Sequence, residues 1–302
     1  MAAAHPTPID FTIGARRLLV VQRSLATWSF GLDQVLSRSL PDAPASGPDG
    51  LRVLSAPTCQ LPAIAAHYPG FVAGGRQDYR RHYIDMTTSF ADYLAQFSGK
   101  TRSTLRRKAR KLAEETGGYS ISEHRTPTEI ETFLAAALPL SARTYQARLL
   151  DAGLPDSPAA RRAMIEAAED DRMRAFLLHA GGHPIAYLSL PVVNGTLIYA
   201  HLGYDPDHAR LSPGTVLQMD ALERLFAEGR FCWFDFTEGE GAHKAMFGTG
   251  SAACSSLVLL RPTLANRALL GARGAFDAGV AQAKALAASS GALERIRARL
   301  RA

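Results

Sequence analysis

The segment WFDFTEGEGAHK, residues 233–244, contains side chains suited to proton transfer. The alternation of a β-strand places Asp235 among large apolar residues. A carboxylate there must be hydrogen-bonded or ion-paired, and we expect Lys244 to be its partner. Asp235 or Glu238 is then a candidate base for an amine or hydroxyl, and Lys244 a candidate site for an acidic group. The alternative is a structural ion pair that closes the loop.

A second candidate is RLSPGT, residues 210–215, which lies between a predicted strand and a predicted helix. Pro213 suits the first helical turn, and Gly214 allows a ligand to approach closely. The amides of Gly214, Thr215 and Val216 are predicted to point out of the helix start, where partial positive charge favours phosphate. An ordinary helix start would have the same composition.

The third feature is the basic segment KTRSTLRRKARK, residues 100–111, with seven Lys or Arg residues and no acid. Its apolar residues follow helical spacing on one face, next to a row of arginines. We expect the row to border a cleft and attract a phosphorylated donor or an acidic acceptor. The alternatives for this row are a solvated helix face, a contact with RNA and a contact with a membrane. The row consists of Arg102, Arg106 and Arg110.

Composition sets the limits for these sites. The chain has 302 residues, 47% of them hydrophobic, and a formal net charge of +6 with a pI near 9.4, which favours anionic partners. Its three cysteines are far apart, and no spacing predicts a metal site or a disulfide framework. No apolar run is long enough to span a membrane, and no DNA-binding motif is present. We expect a reduced, cytoplasmic protein without DNA as a partner.

The elements that must position these residues are read from periodicity. Residues 1–88 are predicted to form a small α+β region that begins with a loose tail over residues 1–16. Residues 89–262 contain helices, with a kink or break at Pro139, and then a three-stranded antiparallel meander with a hairpin at Asn194-Gly195. Residues 263–302 form a helical tail, whose basic end, ALERIRARLRA, is predicted to pack on the protein rather than on a membrane surface.

The predicted order of elements resembles the acyl-CoA-binding core of the GNAT acyltransferase superfamily. This order is a meander, a loop of the form Arg-x-x-x-Gly, a helix and a strand. With TRSTLRRKARKL before them and FDFTEGEGAHKAMFG after, they resemble most the CelD-like or BioF2-like acyltransferases, which are related to FemAB-type peptidyltransferases. The resemblance covers about residues 80–262. It implies an α/β GNAT-like mixed sheet with flanking helices, or two tandem GNAT-like halves with the N-terminal half a reduced, vestigial copy. Two departures leave the donor open: Ser212 and Pro213 replace the usual first glycine, and His243 stands where the branch more often has an aromatic residue.

The resemblance also implies an activity. It is transfer of an acyl group, above all acetyl, from acetyl-CoA or another acyl-CoA to an amine or hydroxyl of a small-molecule or glycan acceptor, by direct attack in a ternary complex. Alternatives are an aminoacyl-tRNA-dependent peptidyltransferase and a non-catalytic module that binds RNA or polysaccharide. The implied cofactor-binding residues comprise the strand residues nearest the thioester and the loop: His201, Leu202, Gly203, Arg210, Ser212, Gly214, Thr215 and Val216.

Overall fold

The computed structural model describes residues 4–13, 16–144, 153–239 and 241–289. The strands of this part are β1 (His5–Ile13), β2 (Arg16–Ser29), β3 (Gly50–Pro57), β4 (Val72–Asp85), β5 (Tyr119–His124), β6 (Met173–Ala180), β7 (His183–Val193), β8 (Thr196–Ile198), β9 (His201–Tyr204), β10 (Trp233–Asp235) and β11 (Gly250–Leu260). The α-helices are α1 (Leu32–Ser37), α2 (Leu61–Ala66), α3 (Phe90–Ala95), α4 (Gly99–Thr116), α5 (Pro127–Arg143), α6 (Pro158–Glu169), α7 (Pro213–Glu228), α8 (Ala242–Phe247) and α9 (Leu264–Ser289).

The chain forms two compact units. One contains the residues up to Tyr79 together with those from Ala253 onward, and the other contains Arg80–Ala252. The chain leaves the first unit within β4 and returns to it within β11. These boundaries differ from the expected ones at residues 88 and 262. The helical tail belongs to the same unit as the N-terminal region.

In the first unit, β2 pairs antiparallel with β1 and parallel with β3, and β3 pairs antiparallel with β11. The expected loose tail is wrong for residues 5–13, which form β1. Ile9 and Phe11 of this strand are buried, and the ring of Phe11 lies 5.4 Å from that of Phe276 in α9. Alternation over these few residues is enough to bury one face of a strand once it has a partner.

The second unit has the strand order β4–β10–β8–β7–β6–β5, with β9 also paired to β7. The β8–β10 pair is parallel and the others are antiparallel, so this is the mixed sheet with flanking helices that was expected. The predicted hairpin is confirmed: Asn194 and Gly195 have φ angles of 48° and 73°, as a two-residue turn requires. The expected third meander strand is interrupted between Ile198 and His201, which makes it two strands, β8 and β9.

Helices cover both faces of this sheet. Alternate residues of β6 and β7 pack on one face with α3, α4 and α7, and on the other with α5 and α6. Phe176 and Leu188 lie in the first core, whereas Leu177 and Tyr187 lie in the second, and all four are buried. Because the strands are buried on both faces, they read as continuous apolar runs in the sequence.

Helices α4 and α5 can be compared with the helices predicted from the sequence. α4 begins after Ser98, whose hydroxyl accepts a hydrogen bond from the Thr101 amide, and ends at Gly117 with φ of 71°, the conformation that favours glycine at a helix end. α5 continues through Pro139 to Arg143. The expectation was a kink or a break at Pro139, and of these the break is wrong, because the helix continues and Leu140 of the following turn packs in the second core. The basic end of the tail, residues 292–302, lies outside the described residues. Within the described part, no helix has the length and apolar character to cross a membrane.

Candidate active site

The pairing of the parallel strands β8 and β10 ends at Tyr199. Its amide donates to the carbonyl of Asp235 (2.9 Å), which is the last bond of that ladder. Beyond it, the Phe236 amide bonds instead to the carbonyl of His82 (3.1 Å), and β9 pairs with β7. The facing edges of β9 and of the chain after β10 therefore diverge. Because the amides of Phe236 and Thr237 are bonded to the His82 carbonyl and the Asp235 carboxylate, the backbone edge that remains for a ligand is that of β9.

The start of α7 is less open than the sequence predicts. The amides of Thr215 and Val216 donate to the Ser212 carbonyl at 3.0 and 3.2 Å, so they do not point free. Ser212 itself lies in the left-handed region, with φ of 55°. Among the described residues, the amide of Gly214 makes no hydrogen bond. One of the three expected phosphate donors therefore remains.

Glycine at 214 serves the packing of the helix on β9. A methyl group added there would lie 2.8 Å from Leu202 Cδ2, and one added at Gly203 would lie 2.4 Å from the ring of Tyr187. Both glycines are buried. In the direction of its missing side chain, Gly214 therefore makes room for Leu202, whereas the approach of a ligand to its amide stays a prediction.

Asp235 has a different partner from the one expected. Its side chain is fully buried, and both oxygens accept hydrogen bonds from the buried Arg81, from Nε at 3.0 Å and from a terminal nitrogen at 2.5 Å. The amide of Thr237 donates to the same carboxylate at 2.8 Å. Arg81, not Lys244, thus neutralises Asp235, because β4 lies beside β10 in antiparallel register.

Lys244 extends over the loop and donates to the carbonyl of Glu238, whose own side chain is exposed. Burial lowers the pKa of Lys244, and nearby Arg81 lowers it further, whereas Asp235 and Glu238 act in the opposite direction. The three predicted catalytic residues therefore lie in one neighbourhood. The carboxylate of Asp235 is enclosed there, and the ammonium of Lys244 is bound to the loop backbone.

His243, at the start of α8, lies at the centre of this neighbourhood. Its Nε2 is 2.7 Å from Oε1 of Gln218, a fully buried side chain of α7. Its ring is 4.7 Å from that of Phe247 and 6.3 Å from that of Tyr199. His243 as a whole residue is exposed, although its ring contacts these aromatic rings and the Gln218 amide. The second amide atom of Gln218, Nε2, is buried with no partner among the described residues.

Three side chains near the point where β9 diverges from the chain after β10 have shifted pKa values. Partial burial lowers the pKa of His243, and the cations Lys108 and Lys244 lower it further. Burial also lowers the pKa of His201, on β9, and raises that of Tyr199. All three side chains are therefore neutral at neutral pH.

The arginine row of α4 does not act as one unit. Arg102 donates to the carbonyl of Phe97, at 3.1 Å, and so caps the end of α3. Arg110 pairs with Glu114, and the predicted loop residue Arg210 pairs with Glu115. Arg106 is exposed, and within the described residues no hydrogen bond or ion pair is found for it.

Arg106 borders a groove of about 230 Å³ between α3, α4 and α7. Its wall is mainly apolar, and Arg102 and Arg106 lie along one rim, with Asp220 and Glu223 along α7. Thr215, from the predicted phosphate loop, lines the same groove. The basic helix and the helix start, which are distant in sequence, therefore meet at one surface depression.

Sequence reasoning missed Arg81, Gln218 and Lys108. Arg81 is 154 residues away from its partner Asp235 in the sequence, and no local sequence pattern indicates that the two pair. Gln218 lies inside an apolar stretch of α7, VLQMDALERLF, and a glutamine buried there was a signal that could have been used. No group of three or more His, Cys, Asp or Glu residues that could hold a metal ion was found in the described ranges.

Comparison with known proteins supports this architecture. The family model of the acetyltransferase (GNAT) domain matches residues 99–245. FemX is a structural neighbour, with 12% identity, a TM-score of 0.52, and coverage of 86% of this chain and 89% of that chain. Another is the C-terminal domain of a protein described as a lysylphosphatidylglycerol synthetase from Agrobacterium fabrum, with 14% identity, a TM-score of 0.50, and coverage of 74% and 72%. At these identities the likeness concerns the fold. Among curated proteins, none matches the sequence significantly.

Proposed function

We propose that the GNAT-type domain matched over residues 99–245 transfers an acyl group from acyl-CoA to an amine or hydroxyl by direct attack in a ternary complex. The observation that carries this proposal is the divergence of β9 from the chain after β10 at the Tyr199–Asp235 hydrogen bond. It leaves an edge of polar backbone next to neutral, partly buried side chains. A thioester held there would be oriented by main-chain groups, and an amide of the edge would stabilise the oxyanion.

The donor would lie along β9, with its thioester near His201, Leu202 and Gly203. Because two of the three expected amides are already bonded, the diphosphate would depend on the Gly214 amide and on side chains at the same groove, above all Arg106. Asp235, paired with Arg81, would hold the site in shape rather than accept the proton. The CelD-like branch and the identity of the acceptor remain predictions.

A second candidate is transfer from aminoacyl-tRNA. FemX shares the fold over most of both chains, and FemAB-type proteins use that donor in the resemblance described above. The exposed cations of α4, among them Arg106 and Arg107, would then contact RNA phosphates. A helix start with few free amides also suits a donor whose phosphates lie elsewhere.

A thermal-shift experiment separates the two donors. Acetyl-CoA and longer acyl-CoA thioesters should raise the melting temperature, since a ligand that binds only the folded state at 100 times its Kd adds about 2.7 kcal/mol. Arg106→Gln should reduce the shift, whereas Arg107→Gln, on the same exposed helix but outside the groove, should not. No shift with any CoA ligand would contradict the acyl-CoA proposal.

Unacylated and aminoacylated tRNA serve as parallel samples. If the second candidate is correct, tRNA will bind with a steep salt dependence, and the combined change Arg106→Gln, Arg107→Gln, Arg110→Gln will flatten that dependence. Binding of tRNA that is insensitive to salt and to these changes would count against it.

A further inference from the structure

The contact between His243 and Gln218 fixes the proton of the imidazole. Oε1 of an amide can only accept, so Nε2 of His243, 2.7 Å away, must donate. In the neutral ring the lone pair then lies on Nδ1. Because Gln218 is fully buried, its side chain is held by the packing of α7 and presents a fixed acceptor.

The ring is also in the right place. The rings of Tyr199, His243 and Phe236 contact one another, with the centroid of Tyr199 6.3 Å from that of His243 and 5.3 Å from that of Phe236. The amide of Tyr199 makes the last bond before the strands diverge. The imidazole therefore contacts the residue at which the backbone edge for the acyl group begins, and His243 is exposed, so an acceptor can approach it.

We propose that His243 is the general base of the acyl transfer, with Gln218 as the positioning residue that keeps the lone pair on Nδ1. This inference rests on the proposed function. The amine or hydroxyl of the acceptor gives its proton to Nδ1 as its nitrogen or oxygen bonds to the acyl carbon. When the tetrahedral intermediate collapses, the carbon–sulfur bond breaks and the proton passes from Nδ1 to the leaving thiolate. Atoms and charges balance, and the imidazole returns to its neutral form.

The other candidates are less suitable as the base. Both carboxylate oxygens of Asp235 are held by Arg81, and Lys244 is a donor to the loop backbone. The groups that face His243 are Lys108 from α4, Lys244 from its own helix and Tyr199. Two of them are cations that oppose protonation of the ring, so it stays ready to accept a proton at neutral pH.

The first test reads the tautomer directly. Long-range ¹H–¹⁵N spectra of the full chain at about pH 7.5 should show His243 with its proton on Nε2. Gln218→Met should abolish this preference while the protein stays folded, since methionine matches the volume and removes an amide nitrogen that has no partner. His243 with its proton on Nδ1 would overturn the proposal, whether or not the protein is active.

The second test measures release of CoA thiol from acetyl-CoA, with a panel of amines as acceptors. General bases contribute about 10²- to 10⁴-fold, so His243→Gln should lower kcat by that factor and leave the thermal shift with CoA intact. His179→Gln is the matched control, because burial lowers the pKa of that histidine as well and it lies on β6, away from the diverging strands.

The pH profile adds a readout that structural damage would not move. In the wild type, kcat/KM should fall on the acidic side with one apparent pKa below 6.5, and Gln218→Glu should move this limb to higher pH, since a carboxylate stabilises the imidazolium. Full activity in His243→Gln would overturn the base assignment alone. A wild type that releases no thiol would overturn the acyl-CoA proposal and the assignment together.

Discussion

Asp235 illustrates what a single residue in a sequence can predict. Its apolar neighbours require a partner, and that requirement is met. The identity of the partner could not be inferred, since the pairing of β4 with β10 is a long-range event and Lys244 was simply nearer in sequence. Burial chemistry is local and predictable, whereas register between distant strands is not.

The Arg81–Asp235 pair predicts a strong non-additivity. Asp235→Leu or Arg81→Met alone should cost about 3–5 kcal/mol of unfolding free energy, because each leaves an uncompensated buried charge. The double variant should lose much less than the sum. Urea unfolding of the four proteins measures this, and additive losses would show that the two charges do not depend on each other.

At the scale of elements, the start of a helix is best indicated where the sequence contains all the residues of a helix cap. The sequence TPTE, residues 126–129, combines a capping residue, a proline and an acid, and α5 begins at Pro127. Oε2 of Glu129 accepts from the amides of Thr126 and Arg125 at 2.9 and 3.0 Å. These bonds lower the pKa of Glu129.

Glu129→Ala should therefore destabilise the protein by about 1 kcal/mol, the usual cost of losing such a cap. Glu131→Ala, two residues further along the same helix and exposed, should change stability by less than about 0.5 kcal/mol. Chemical denaturation compares them. Equal losses in the two variants would mean that helix propensity, not the cap, sets the effect.

The predictions of secondary structure were wrong where contacts between distant parts of the chain determine the element. β1 exists because β2 pairs with it and buries Phe11, and α5 passes Pro139 because its last turn packs in a core. The break between β8 and β9 lies where the strand pairing changes, since β8 pairs with both β7 and β10, whereas β9 pairs with β7. None of these causes is visible in a window of ten residues. The sequence therefore predicted some residues of the site but not Arg81, Gln218 or Lys108, and it predicted the geometry only in part.

At the scale of the whole molecule, histidines couple stability to pH. Burial lowers the pKa of His124, His179, His201 and His243. The unfolded chain therefore takes up protons first as the pH falls below about 6.5. Their contribution to stability is complete above that pH and is lost as the pH falls through the lowered values.

We thus expect the free energy of unfolding to be constant from about pH 8 to 7 and to decline between about pH 6.5 and 5, before the carboxylates titrate. Urea unfolding across this range tests it. His179→Gln should make the decline shallower, and His183→Gln, an exposed histidine on β7, should not. A flat profile down to about pH 5 would contradict the expectation.

The tight contact of Gly214 with Leu202 has a mechanical consequence. Since no space separates the first turn of α7 from β9, the two should shift as one rigid wall. In the proposed acyl-transfer site, room for a bulkier acyl group would then come from the opposite side, where the chain after β10 and α8 lie. Selectivity for acyl size would accordingly be set by the side chains around Phe236 and Phe247, and hardly at all by β9, along which the donor is proposed to lie.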